Sequence, residues 1–142
     1  MAKNKWRIKE AVKIAEEAAL KALRTGAEAI LTEAIDEAPV DTGTLRRSGT
    51  VTVGKLPDGE RVFEAAEAGN EMKDAFPGKS GKEKAVYISF NTPYARRMHE
   101  DLGYTPKRGG GPKYLESPFN ANKAKVLKHA EKQIKKALRE AD

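Results

Sequence analysis

The two histidines are the side chains best suited to moving protons near neutral pH, so their neighbours decide what chemistry this 142-residue chain could support. His99 is followed directly by Glu100 and Asp101. A zinc site of the HExxH kind needs its histidines four residues apart on one helix face, and no such spacing occurs. His129 is the second of the two histidines, and a surface side chain is the expected reading for it as for His99. Asp41, Thr42 and Thr44 form an acid–hydroxyl group, but no histidine or lysine base stands near them in sequence, and helix capping accounts for all three. The absence of cysteine removes disulfides, thiolate metal sites and cysteine nucleophiles. Gly109-Gly110-Gly111 lacks both the GxxxxGK[ST] pattern and a strand leading into it, so it is not a phosphate-binding loop. Tyr87, Tyr94, Tyr104 and Tyr114 are scattered rather than ranked as a base-stacking platform. These residues predict a protein with no catalytic side chain, no metal and no cofactor, and with both histidines at the surface.

The elements that would position these groups turn on one stretch, Pro39-Val40-Asp41-Thr42-Gly43-Thr44-Leu45-Arg46-Arg47-Ser48. Before it, Lys5 to Glu37 carries small or apolar residues at Ile8, Val12, Ala15, Ala19, Ala22 or Leu23, Gly26 and Ile30, the three-and-four spacing of one long helix or of two joined at Thr25-Gly26. Unbroken, that helix would be about 50 Å long, more than a chain of this size needs. Its alanine stripe permits close backbone approach to another helix. Its ends are charged against its own dipole, with Lys3, Lys5, Arg7 and Lys9 first and Glu28, Glu33, Asp36 and Glu37 last. Pro39 stops the helix. Asp41 or Thr42 can cap a following helical turn, Gly43 can take a backbone angle other residues resist, and Leu45 can anchor the corner in the core. Arg46 and Arg47 then fall on the outside.

Beyond the corner, Thr50 to Val53 predicts a strand, Leu56-Pro57-Asp58-Gly59 a hairpin turn, and Arg61 to Ala65 the returning strand. A polar loop runs through 67–84. Lys84 to Asn91 alternates Val86, Ile88 and Phe90 with Tyr87 and Ser89, the clearest strand in the chain. Thr92-Pro93 opens a helix that ends at Gly103. A glycine-rich loop over 103–113, read as a mobile basic finger, leads to a last helix from Ser117-Pro118 to about Ala141. The fold class is α+β: a long N-terminal helix and a C-terminal helix packed on a small, mostly antiparallel β-sheet, as one domain over 1–142 with flexible loops near 67–84 and 103–113.

The net charge of +6 is unevenly placed. Residues 1–92 balance, and the whole excess falls in 93–142. Lys107, Arg108, Lys128, Lys132, Lys135 and Lys136 are therefore candidates to face DNA, against the simpler reading of a solvated lysine face. No segment approaches the roughly 20 apolar residues that cross a bilayer, and Met1 to Lys9 is too polar for a secretory signal. A soluble protein made in a cytoplasm, without a membrane partner, is expected.

The string Val40-Asp41-Thr42-Gly43-Thr44-Leu45-Arg46-Arg47-Ser48, after a long alanine-rich helix, resembles the minor capsid, head–tail joining proteins of tailed bacteriophages, also called neck or tail-completion proteins. Two later strings extend the likeness over most of residues 5–141: Asn91-Thr92-Pro93-Tyr94-Ala95 with Glu100 and Gly103, and Tyr114-Leu115-Glu116-Ser117-Pro118-Phe119. The family often carries an adjacent glutamate–glycine pair, whereas Asp101-Leu102 here separates Glu100 from Gly103. The resemblance implies a structural component of the virion neck, assembled in the host cytoplasm. It implies a ring of six or twelve copies joining the portal side of the head to the tail tube, with other neck, portal-side and tail-tube proteins as partners. Val40, Asp41, Thr42, Gly43, Leu45, Arg46 and Arg47 would then form an assembly corner, and Tyr94, Ala95, Glu100 and Gly103 a second family site. The alternative is a non-specific module that binds double-stranded DNA through its basic C-terminal helix.

Overall fold

The computed structural model describes residues 2–40, 42–71, 76–103 and 109–141, with side chains from residue 7 onward. Its elements are α1 (Ala2–Glu37), α2 (Thr44–Arg47), β1 (Gly49–Val53), α3 (Gly59–Glu67), β2 (Val86–Phe90), α4 (Ala95–Glu100) and α5 (Glu116–Glu140). The architecture is α+β, as expected: two long helices beside one small antiparallel sheet.

α1 runs without a break through Thr25-Gly26, and α5 lies antiparallel along it. The register is set by three contacts. Asn122 donates to the Glu33 carboxylate at 3.0 Å, Gly26 faces Val126, and Ile14 shares a cleft with Ala137 and Glu140. At Gly26 the helices lie close together, since a β-carbon there would sit 2.5 Å from Val126 Cγ1. The alanine stripe thus does what its small size allows, bringing two backbones together at little cost in side-chain entropy.

β1 and β2 pair from Gly49↔Phe90 to Val53↔Val86. Their inner face meets α1 through Ala27, Leu31 and Val51, with Ile35, Val86, Ile88 and Phe90 packed around them. Thr50 and Ser89 face each other across the ladder with their hydroxyls 2.8 Å apart.

The expected strand over 61–65 is a helix. Asp58 caps α3 by accepting from the Arg61 amide at 3.4 Å, so Leu56-Pro57-Asp58-Gly59 starts a helix rather than turning a hairpin. Val62 and Ala66, four residues apart, are both fully buried, and this helical period outweighs the strand preference of Val62-Phe63. Among the described residues β1 consequently pairs with β2 alone, in a sheet of two strands. The described part of the 67–84 segment leans on the chain after β1: Leu56 N–H donates to Ser80 O at 2.7 Å and Asp58 N–H to Phe76 O at 2.6 Å. The short helix after β2 begins at Ala95 with Tyr94 at its N-cap, rather than at Thr92-Pro93, and ends at Glu100, before Gly103.

Gly26→Ala gains about 1 kcal/mol of helix propensity. The clash with stiff, branched Val126 costs more, about 1–3 kcal/mol, so thermal melting should show net destabilisation. In a Val126→Ala background the same substitution should stabilise.

Candidate functional site

The three strings singled out in the sequence lie far apart along the chain and meet at the C-terminal end of α1. Ala38, Leu45, Ala95 and Tyr114 form one buried cluster, with Phe90, Met98 and Leu115 packed against it. Leu45 is the anchor expected of it, 4% exposed. Tyr114 is 2% exposed, sets its ring edge against Phe90 and His99, and donates its hydroxyl to Ala95 O at 2.7 Å. Burial raises the pKa of that hydroxyl, with Tyr94 adding a smaller push, so Tyr114 stays a neutral donor.

Gly43 supplies the left-handed turn, with φ 86°, that lets the chain leave Pro39-Val40 and enter α2. The Thr42 hydroxyl lies 3.0 Å from that of Thr44 and accepts from the Thr44 amide at 3.4 Å. Asp41 lies outside the described residues.

Arg46 and Arg47 are not simply on the outside. Arg46 donates from Nε to Ala38 O and from Nη2 to Asp36 O, both at 2.8 Å. Arg47 donates from Nε to Ala66 O at 2.9 Å. Each arginine therefore closes the carbonyl end of a different helix, α1 and α3, and neither helix has a basic residue in its own last turn. The charge arrangement that looked unfavourable for α1 is answered by a cation from the next helix. The end of α1 takes two further contacts from the glycine-rich segment: Gly111 N–H donates to Glu37 O at 2.9 Å, and Val40 N–H donates to Gly109 O at 3.2 Å. This part of the expected basic finger is hydrogen-bonded to α1. Lys107 and Arg108 lie outside the described residues.

Ser48 and Asn91 tie the corner to the sheet. Ser48 is fully buried and donates to Leu45 O at 2.7 Å, while its own hydroxyl accepts the Asn91 amide at 3.0 Å. The Asn91 side chain donates to Ser48 O at 2.8 Å. Both residues sit inside the strings, but only their pairing, 43 residues apart, reveals the role.

His99 is a bridge rather than a surface side chain. Nε2 accepts the Glu116 backbone N–H at 3.1 Å, which assigns the remaining proton to Nδ1, 2.8 Å from the Glu100 carboxylate. Both ring nitrogens are thus engaged, one of them with a free N–H at the start of α5. Lys113 bonds Glu100 and stands 3.3 Å from Glu116. Its bond lowers the pKa of Glu100, with His99 contributing, and Glu100 in turn raises that of Lys113. Gly103 N–H donates to the Asp101 carboxylate at 3.0 Å, closing the turn after α4. Tyr94 is 38% exposed at the start of α4.

Lys128, Lys132, Lys135 and Lys136 are exposed on α5, away from this joint. Lys135 lies 3.0 Å from Glu131 and Lys136 4.0 Å from Glu140. The candidate residues are therefore two separate features: a joint at the end of α1 and a basic helix face. Among the described residues no cluster of three or more histidine, aspartate or glutamate side chains could hold a metal. No described helix is long and apolar enough to cross a membrane.

A protein-family model described as "HK97-gp10_like: Bacteriophage HK97-gp10, putative tail-component" matches residues 3–96, more than half of the chain. The match runs from α1 through the corner and the sheet to the start of α4. No curated protein and no solved structure matches the chain.

Arg46→Ala should lower the melting temperature, with a loss of about 1–3 kcal/mol for two charge-assisted bonds at a partly exposed site, without unfolding the monomer. Arg46→Lys should recover only part, because an ammonium cannot reproduce the fork. Gly43→Val, which forces a β-branched residue to positive φ, should cost about 1–3 kcal/mol in the same melting experiment.

Proposed function

This chain belongs to the HK97-gp10-like family of bacteriophage tail components, and we propose that it is a structural protein of the virion neck, forming a ring that joins the portal side of the head to the tail tube and completes the tail. The observation that carries the reading is the unfinished surface of a single copy. Among the described residues, seven of the buried apolar side chains are alanines: Ala22, Ala27, Ala34, Ala38, Ala66, Ala95 and Ala130. Larger apolar side chains stay in solvent, with Leu102 75%, Ile8 63%, Leu127 62% and Val12 51% exposed. Ile30, Leu31, Leu45, Val51, Val62 and Tyr114 are the larger side chains that a single copy buries, so the exposed set is apolar area left for neighbours to cover. Docking and sealing then require no reaction. The ring would hold six or twelve copies, with other neck, portal-side and tail-tube proteins above and below.

Native mass spectrometry and electron microscopy test this directly. Closed rings of the purified protein, or rings formed once tail or portal-side proteins are added, are the expected result. A protein that stays monomeric at high concentration and binds none of those proteins contradicts it.

A second reading rests on one observation. Lys125, Lys128, Lys132, Lys135 and Arg139 share the exposed side of α5, opposite Val126 and Ala130, which face inward. Such a stripe would attract duplex phosphates without regard to sequence. Replacing Lys128, Lys132, Lys135 and Lys136 by glutamine should then flatten the plot of log affinity against log salt by about 3–4 units of slope. Negligible DNA binding at about 50 mM salt, low enough for such attraction to be strong, removes this reading.

A further inference from the structure

The two ends of the molecule carry apolar surfaces that differ in shape and charge. At one end, the antiparallel register places Ile14 opposite Ala137 and Glu140, so the turns of α1 before Ile14 pass beyond the last described turn of α5. On those turns Ile8 and Val12 are four residues apart, on one face, and more than half exposed. Arg7, Lys9 and Lys13 surround them, against one acid, Glu10.

At the other end, beside the joint, a cavity of about 460 Å³ opens between β2 and the start of α5. Its apolar walls are Val86, Ile88, Leu115 and Phe119, the last 46% exposed. Its rim carries Glu100 and Glu116 with Lys113 between them, a net negative edge.

We propose that the groove of each copy receives the first turns of α1 from the next copy, Ile8 and Val12 entering between Phe119 and the β2 side chains. An apolar pair at helical spacing is the shape such a groove accepts. The basic flanks of the helix meet the acidic rim, which favours this pairing over groove against groove or helix against helix. A copy cannot fill its own groove. Asn122 bonds Glu33, which fixes the start of α5 beside the far end of α1, about 38 Å along a continuous helix from Ile8. The contact joins two different patches, so it propagates head to tail and closes into a ring when the rotation between copies allows. The inference rests on the ring reading given above and assigns its subunit contact.

The chain contains no cysteine, so Val12→Cys and Phe119→Cys introduce unique thiols at exposed positions. A short bis-maleimide should link the double variant into a ladder that ends at the ring size. An equimolar mixture of the two single variants should give dimers, and each single variant alone should stay unlinked. Separately, Val12→Lys should abolish rings while leaving the monomer melting curve unchanged. Linking of Val12→Cys alone would mean that like helices pair, and would overturn the inference. So would intact rings in which the double variant gives no ladder, with the ring reading left standing. Monomers under every condition, including added tail and portal-side proteins, would sink both.

Discussion

A helix ends in carbonyls that its own backbone cannot satisfy. At the end of α1 this demand is acute, because the last turn carries no basic residue and Pro39 forbids a continuing turn. The carbonyls of Asp36 and Ala38 are taken by Arg46, and that of Glu37 by the Gly111 amide. To reach them, the chain must reverse at once, which Gly43 permits, and α2 must sit beside the helix it follows. Leu45 then enters the same cluster as Ala38, Ala95 and Tyr114. Arg47, one residue on, performs the same service for α3. Two consecutive arginines thus hold two helices at a fixed angle to the strand that follows.

This explains why the strings that carry the family likeness contain so little chemistry. Thr42, Gly43, Leu45, Arg46 and Ser48 build a joint; Asn91 locks it to β2; Tyr114 packs beneath it and bonds Ala95. A stiff joint at one end makes α1 a rigid arm. Exposed Ile8 and Val12 near its start and an open groove near its other end are the surfaces on which the proposed contact between copies rests.

The parts legible in the sequence were those governed by nearby residues. The helical stripe of α1, the φ demanded of Gly43, the burial of Leu45 and the alternation in β2 all follow from local spacing. The parts that escaped depend on distant partners. Arg46 bonds carbonyls 8 and 10 residues back, and Arg47 one 19 residues ahead, so both looked like surface charges. His99 looked exposed because its acceptor role is set by Glu116, 17 residues away. α3 was misread because Val62-Phe63 suggested a strand, while Asp58 and the spacing of Val62 and Ala66 favoured a helix.

Hydrogen exchange at single amides tests most directly whether the paired arginines govern the joint. If they do, Arg46→Gln should speed exchange at Ala38 and Gly111 and leave α3 unchanged, whereas Arg47→Gln should speed exchange at Ala68 and Gly69 and leave α1 unchanged. Loosening of the same segment by both substitutions, or of neither helix end by either, would contradict the account.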